Sequence, residues 1–428
     1  MLGKFLQSGQ RTLVQQRTAA FASTWGALDA APADPILGLS EAFKTDTNPK
    51  KVLLGLGAYR DNDGKPYVLP CVREAQKIIA NSNMDKEYQP IHGIQSYIDK
   101  ALVTAYGNDC KQLNEGRVAG CQTLSGTGSL RVGFTFFKQW YPHKDIDFLI
   151  PKPTWPLHQN LATLCGFEHW KHYRYYDWGT KGFDFDGMLD DLRAAKDNSF
   201  VLLHTCAHNP TGVDPTKEQW EKILEVCLSK NLYAGFDNAY QGFASGSLDQ
   251  DAMALRLFAE HTDNIMLFQS FAKNFGLYGE RAGCLSILTG SPEEKNIVMS
   301  RVKQICRPIW SSPPINGARL ADIVLSDEKL TKMWHEDLIM MSTRMKDMRE
   351  GLKQKLKDLG NEHDWSHVTS QIGMFAYTGL SKEQVTQIRE KHSIYMTADG
   401  RISIAGLNTG NLDYVAAAFH EATHGKEF

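Results

Sequence analysis

A lysine set between phenylalanines is the first residue in this chain whose surroundings point to chemistry. Lys273 lies in Gln269-Ser270-Phe271-Ala272-Lys273-Asn274-Phe275-Gly276-Leu277-Tyr278-Gly279-Glu280-Arg281. This stretch follows Ile265 to Phe268, an apolar run that reads as a short buried strand. Burial disfavours the ammonium, so a lysine at the end of such a strand gives up its proton more readily, and the neutral amine attacks carbonyls. Ser270 and Arg281 add a hydroxyl and a fixed positive charge, groups suited to a phosphate. A nucleophilic lysine beside a phosphate site is the pattern of a pyridoxal phosphate Schiff base. The competing reading is a lysine whose stem lies along two core aromatics while its ammonium reaches water.

Other polar groups follow other strands. Leu124-Ser125-Gly126-Thr127-Gly128-Ser129 precedes a helical pattern, and glycines with hydroxyls at a helix start present N–H groups to an anion. The stretch is no P-loop, because no Gly-Lys-Ser/Thr follows, and it lacks the third glycine of a dinucleotide fingerprint. An ordinary capped loop is its alternative. Trp155, in Pro153-Thr154-Trp155-Pro156, offers a face for a flat ring or simply a core side chain. His208-Asn209-Pro210-Thr211-Gly212 follows the apolar run Phe200 to Cys206. Asp237 and Tyr240 follow Leu232 to Phe236; the carboxylate suits a protonated pyridine nitrogen, or caps a helix. Four strand ends, near Ile150, Cys206, Phe236 and Ser270, thus carry candidate groups, and ligands of α/β sheets sit at such ends.

Two further patterns are coincidences. His420-Glu421-Ala422-Thr423-His424 fits the zinc-protease signature, but only Gly425 to Phe428 remain to supply a third ligand. Ser270-Phe271-Ala272-Lys273 fits an acyl-serine signature whose companion Ser-Asp-Asn and Lys-Thr-Gly motifs are absent. No metal site is expected.

The elements that must position these groups come from the wider pattern. The 428 residues exceed one ordinary domain, with 42% hydrophobic and 22% charged residues, the composition of a soluble globular protein. A net charge of -2 gives no electrostatic reason to expect nucleic acid or an acidic membrane surface as partner. No apolar run is long enough to span a bilayer, so no stable membrane association is expected. The eight cysteines are scattered without C-x-x-C spacing, which favours free thiols. Helical patterns at Ser129 to Trp140 and Thr216 to Ser229 alternate with short apolar strands, including Asp147 to Ile150 and Cys284 to Leu288. That alternation predicts an α/β fold with a mostly parallel sheet covered on both faces. A helix over Glu293 to Arg307 should break across Pro308 to Pro314, and Asp327 to Leu359 reads as one long bridging helix. The remaining tail, with strands near Phe375 to Thr378 and Arg401 to Ile404, predicts a smaller α+β domain completed by the N-terminal arm.

With these residues in place, the chain resembles the aspartate aminotransferases of the mitochondrial type, class I members of the fold-type I pyridoxal phosphate transferases. The likeness rests on Asp34-Pro35-Ile36-Leu37, Gly55-Leu56-Gly57-Ala58-Tyr59-Arg60, Ser125-Gly126-Thr127-Gly128, the motif at His208, the stretch from Ser270 to Tyr278, and Gly400-Arg401-Ile402-Ser403. The resemblance implies that Lys273 forms the internal aldimine and then shuttles a proton, with Asp237 and Tyr240 as its catalytic companions. It implies that Asp237 pairs the pyridinium nitrogen, Tyr240 and Asn209 bond the ring oxygen, and Trp155 stacks on the ring. Ser125, Gly126, Thr127, Ser270 and Arg281 would hold the phosphate, with Tyr88 reaching it from a second subunit of a homodimer with shared sites. Arg401 would bind the substrate's α-carboxylate and Arg307 its distal carboxylate across the dimer interface. Two such clamps suit dicarboxylate amino and keto acids, because arginine binds carboxylates in a bidentate fork. Gly57, Trp155 and Asn209 complete the implied substrate contacts. The chain departs from the family at Ser312, where Trp310-Ser311-Ser312-Pro313-Pro314 replaces an Asn, a change beside Arg307.

The implied reaction is transamination between L-aspartate and 2-oxoglutarate. The alternative within the class is a broader enzyme that also takes aromatic or kynurenine-like substrates; outside it stand a pyridoxal phosphate lyase and a binding protein without activity. The expected division is a transit peptide over 1–22, an arm and part of the small domain over 23–65, a large cofactor-binding domain over 66–340 and a small domain over 341–428. The leader carries Lys4, Arg11 and Arg17, has no acid before Asp29, and lets Leu2, Phe5, Leu6, Leu13 and Val14 share a helical face. Import into the mitochondrial matrix is therefore expected. Sequencing the N-terminus of the protein isolated from cells should find it starting near Ser23; a protein still beginning at Met1 would refute the transit reading.

Overall fold

The computed structural model describes Trp25, residues 28–30 and residues 37–425. The transit segment and the Asp34-Pro35-Ile36 motif lie outside the described residues, and no helix among those described is long and apolar enough to cross a membrane.

Thirteen strands are described. In chain order they are β1 (Val52–Leu53), β2 (Val118–Leu124), β3 (Phe148–Lys152), β4 (Lys171–Arg174), β5 (Tyr176–Asp177), β6 (Gly182–Phe183), β7 (Phe200–His204), β8 (Tyr233–Asn238), β9 (Ile265–Ser270), β10 (Ala282–Leu288), β11 (Phe375–Tyr377), β12 (Ile394–Tyr395) and β13 (Arg401–Ser403). Seven of them form one sheet in the order β2-β10-β9-β8-β7-β3-β4. All its pairings are parallel except those of β10, which runs antiparallel to both β2 and β9. The expected mostly parallel sheet is therefore present. Its central strands β7, β8 and β9 are buried along their whole length, as sheets covered on both faces require.

Against one face lies the helix Ser125–Trp140. Phe134 and Phe137 enter an aromatic cluster with Phe148, Phe200 and Phe268, whose ring centroids lie 4.5–5.7 Å apart in edge-on and stacked pairs. Gly133 allows this approach. A Cβ built there would lie 2.4 Å from Phe268 Cε1 and 2.5 Å from Met266 Sδ.

The helix Glu328–Asp358 is continuous over 31 residues, or about 46 Å at 1.5 Å per residue. Asp327 caps it, accepting from the Leu330 N–H at 2.9 Å. Near its start, the fully buried Trp334 stacks on Phe275 at 4.1 Å and donates to the Asn274 carbonyl at 2.8 Å, on the residues that flank Lys273. Near its end, the buried Arg349 donates to the carbonyls of Val368, Gly373 and Phe375. One rod thus braces both the lysine segment and the loop leading into β11. The N-terminal arm joins the C-terminal part through the parallel pair β1·β12, while β11 and β13 pair antiparallel.

One sequence expectation fails. The helix from Pro292 does not break at Pro308 but runs to Trp310. Pro308 removes the N–H that Gln304 would accept, yet both residues are exposed, so water can satisfy the orphaned carbonyl. The eight cysteines are free, as expected.

Replacing Gly133 with Ala should destabilise the protein by about 1–3 kcal/mol through overpacking against β9. The urea midpoint should fall while a substitution on an exposed helix face leaves it unchanged.

Candidate active site

Four strand ends meet on one rim because β3, β7, β8 and β9 are consecutive parallel neighbours. Their C-terminal ends carry Trp155, Asn209, Asp237 and Lys273 to the same edge. Strand order, invisible in local sequence, converts four separate candidates into one site.

Lys273 stands three residues past β9, between the buried rings of Phe271 and Phe275. Burial, with the charges of Arg281 and Arg401, pulls its ammonium down to about 8 against the opposing pull of Asp237. Its Nζ lies 5.4 Å from the centre of the Tyr240 ring. Tyr240 is itself buried, hydrogen-bonded to Asn209, and raised by burial, so its phenol keeps its proton.

Asp237 is held the opposite way. Burial alone would raise its pKa, but a hydrogen bond from His158 and the nearby Lys273 hold it below the usual carboxylate value. His158 Nε2 donates to Asp237 Oδ2 at 2.9 Å, and His158 Nδ1 lies 2.7 Å from Thr154 Oγ1, which orients the ring. His204 faces Asp237 across the β7·β8 register. Burial lowers it to about 3, so it stays neutral, and its Nε2 is buried without a partner. Sequence reading missed both histidines. Their signal was weak: His158 is three residues after Trp155, and a polar residue ends the otherwise apolar run at His204.

The phosphate-suited groups also converge. Ser125 opens the helix Ser125–Trp140 with a left-handed φ of 59°, and no side chain caps that helix. Its Oγ lies 2.8 Å from Ser270 Oγ, and its N–H donates to the Arg281 carbonyl at 3.1 Å. Gly283 makes the approach feasible, because a Cβ there would meet Ser125 Cα at 2.7 Å. Gly126 lies against Ser270, with a Cβ placed 3.3 Å from that side chain's own Cβ, and Thr127 follows in the first turn. The Ser125 and Ser270 hydroxyls and the uncapped N–H groups form a donor set without a carboxylate, which fits the phosphate of pyridoxal phosphate, while the exposed Arg281 guanidinium donates to the Tyr278 carbonyl at 3.1 Å. An ionised Asp237 and a lysine titrating near neutrality fit its ring nitrogen and its aldehyde.

Arg401 is buried and meets only neutral acceptors. Nη1 donates to Asn209 Oδ1 at 3.2 Å, Nη2 donates to the Gly55 carbonyl at 3.0 Å, and Nε has no partner. Its Cζ sits 4.3 Å over the Phe375 ring. Gly57 packs against the same ring, where a Cβ would meet Cζ at 2.9 Å. A buried guanidinium lacking a carboxylate is poised for an anion. Trp155 is half-buried, edge-on to His158 at 5.4 Å. Arg307 and Tyr88 face solvent instead, Arg307 donating to Ser311 Oγ and Tyr88 84% exposed.

The zinc-protease pattern set aside in the sequence stays apart from this rim. Glu421 bonds Lys391 and His392, whereas His420 bonds Asn361 and His424 pairs with Glu362. Among the described residues, the one group spaced for a metal is His158, His204 and Asp237, where His158 already donates to the carboxylate. A cavity of about 1120 Å³ opens elsewhere, around Lys100, Arg117 and Arg256, but each of these cations is paired with an aspartate at 2.8 Å.

Comparison with known proteins places this geometry. The family described as "Aminotransferase class I and II" matches residues 49–419. The chain is 47% identical over 418 residues to "Aspartate aminotransferase, mitochondrial" of Dictyostelium discoideum, covering 98% of this chain and 97% of the relative. It is 47% identical over 406 residues to the protein of the same name from Gallus gallus, covering 95% and 96%. Among solved structures, cytoplasmic aspartate aminotransferase of Saccharomyces cerevisiae superimposes with a TM-score of 0.90 at 41% identity, covering 94% and 98%. An aromatic-amino-acid aminotransferase of Burkholderia pseudomallei, covalently bound to pyridoxal phosphate, gives 0.90 at 42%, covering 94% and 99%.

Because the neutral amine is the attacking form, capture of pyridoxal phosphate by the apoprotein should quicken as pH rises through about 8 and level off above it. Stopped-flow absorbance of the bound chromophore reads this directly; a rate that still climbs steadily past pH 10 would mean the amine is not perturbed.

Proposed function

This chain belongs to the class I and II aminotransferases, and we propose that it transfers the amino group of L-aspartate to 2-oxoglutarate, giving oxaloacetate and L-glutamate, with pyridoxal phosphate as cofactor. The observation that carries the reading is the buried arginine Arg401, free of any carboxylate partner, on the same rim as an amine tuned to about 8.

Ser125, Gly126, Thr127, Ser270 and Arg281 would hold the cofactor's phosphate, Asp237 its ring nitrogen, Tyr240 and Asn209 its ring oxygen, and Trp155 its face. Bound there, the cofactor supplies an aldehyde for the amino group and a protonated ring that accepts the electron pair left when Cα loses its proton. Asp237, ionised and fixed by His158, keeps that ring nitrogen protonated. Lys273, as a free amine, would take the proton from Cα and hand it back as general acid. Arg401, with Gly57 and Asn209 beside it, fixes the α-carboxylate and so orients the Cα–H bond. Each half-reaction releases a keto acid before the next substrate enters, a ping-pong sequence.

The distal carboxylate is assigned to Arg307. Its exposure, with that of Tyr88, supports a homodimer in which each subunit lends both residues to its partner's site. The proposed division keeps a large domain over 66–340, with residues 23–65 and 341–428 forming the arm and small domain. The pairings β1·β12 and β11·β13 support it. Relatives named mitochondrial support a mitochondrial location, and the matrix is the proposed compartment.

An aminotransferase of broader range is the second reading, favoured by the likeness to an aromatic-amino-acid enzyme. Arg307→Ala should lower kcat/KM for aspartate by about 100-fold or more, since removing one partner of a charge-assisted pair costs about 3–5 kcal/mol. Turnover of phenylalanine, measured in the same coupled assay, should change less than fivefold or so. Equal losses for both substrates would refute the assignment of Arg307.

A further inference from the structure

Trp178 lies in the turn between β5 and β6 and remains 56% exposed. Its ring nevertheless meets two others edge-on, Tyr176 at 5.0 Å and Tyr377 at 5.2 Å, and Tyr176 itself lies 5.6 Å from Tyr377. The β5–β6 hairpin continues from β4, the edge strand of the large sheet, whereas Tyr377 ends β11 near the C-terminus. Three rings therefore bridge two parts of the chain that share no strand pairing.

Tyr377 is placed to act on Arg401. The two are direct cross-strand partners in β11·β13, so their side chains leave the ladder on the same face. The Tyr377 phenol donates to Asp399 Oδ2 at 2.8 Å. Asp399 Oδ1 in turn accepts from the Thr397 hydroxyl at 2.5 Å and from the Arg401 N–H at 3.3 Å. Burial and the neighbouring Asp399 raise the phenol, which keeps it a donor. Phe375, two residues earlier on the same face of β11, carries the guanidinium. Arg401 lacks any carboxylate of its own, so its aim depends on these neighbours.

We propose that Trp178 is a positioning residue for the α-carboxylate clamp: packed on Tyr377 from the large-sheet side, it holds Tyr377 and Asp399 in the arrangement that aims Arg401. The proposal rests on the reading of Arg401 as the α-carboxylate ligand. Because every substrate carries an α-carboxylate, loss of the clasp acts on amino and keto acids alike, with or without a distal carboxylate.

The test uses the holoenzyme. Trp178→Ala should raise KM for aspartate, 2-oxoglutarate and alanine, and the dissociation constant of the unreactive dicarboxylate succinate, by about five- to tenfold, the worth of one aromatic contact pair. Turnover at saturation should stay within about twofold, and Trp178→Phe should recover binding to the same margin. Tyr377→Phe, which removes only the phenol, should weaken succinate in the same direction and serves if Trp178→Ala fails to fold. In an Arg401→Lys background, Trp178→Ala should weaken succinate no further. Unchanged succinate binding in both Trp178→Ala and Tyr377→Phe, or fully additive losses with Arg401→Lys, would overturn the clasp. If Arg401→Lys itself leaves succinate binding intact, the reading of Arg401 fails instead, and a loss confined to Arg401→Lys leaves that reading standing while the clasp falls.

Discussion

Asp237 and Lys273 make opposite demands of one buried rim. Burial neutralises both kinds of group, so it helps the lysine shed its proton and would push the aspartate to take one. The two also attract each other, which on its own would restore the ammonium. The fold separates their fates with neighbours. His158, oriented by Thr154, gives the carboxylate a fixed donor, while Arg281 and Arg401 add positive charge on the side of the amine. Under the proposed reading the arginines serve twice, as anion ligands and as the field that lowers Lys273.

That balance depends on strand order more than on any single contact. With β7, β8 and β9 parallel and adjacent, register places His204 beside Asp237 and Asp237 beside Phe268, five residues before Lys273. The antiparallel β10 then closes the corner at Ser125 and Ser270, because Gly283 lets Ser125 pack directly upon it. The long helix ties this rim to the C-terminal part by holding Asn274 at one end and the carbonyls around Gly373 at the other.

Much of this was legible in the chain because the informative signals are local. Apolar runs ended by Asn209-Pro210, Asp237 and Lys273 announced strand ends with polar cargo, and the long amphipathic stretch from Asp327 to Leu359 announced its helix. What stayed hidden is non-local or disguised. The order of strands depends on pairings between distant segments. β2 escaped notice because Val118-Ala119-Gly120-Cys121-Gln122-Thr123-Leu124, buried nearly throughout, has neither alternation nor β-branched richness. His158 and His204 look like ordinary core histidines until Asp237 is placed between them. Pro308 misled for a different reason: an exposed helix face tolerates a missing hydrogen bond that a buried one would not.

Arg401 illustrates why the C-terminal part must be built so firmly. A guanidinium removed from water without a counter-charge is costly, and a flexible one would relax toward the nearest carboxylate. Asp399 is that carboxylate, only two residues away, yet its oxygens are taken by Tyr377, Thr397 and the Arg401 backbone. The guanidinium is instead left with an amide oxygen, a carbonyl and an aromatic face. These hold its direction without neutralising it, and Nε remains unpaired. Under the proposed reading, an arriving carboxylate meets a donor already desolvated and already oriented, so its binding does not have to displace a competing anion. Saturating Asp399 with other donors is thus part of what keeps Arg401 available.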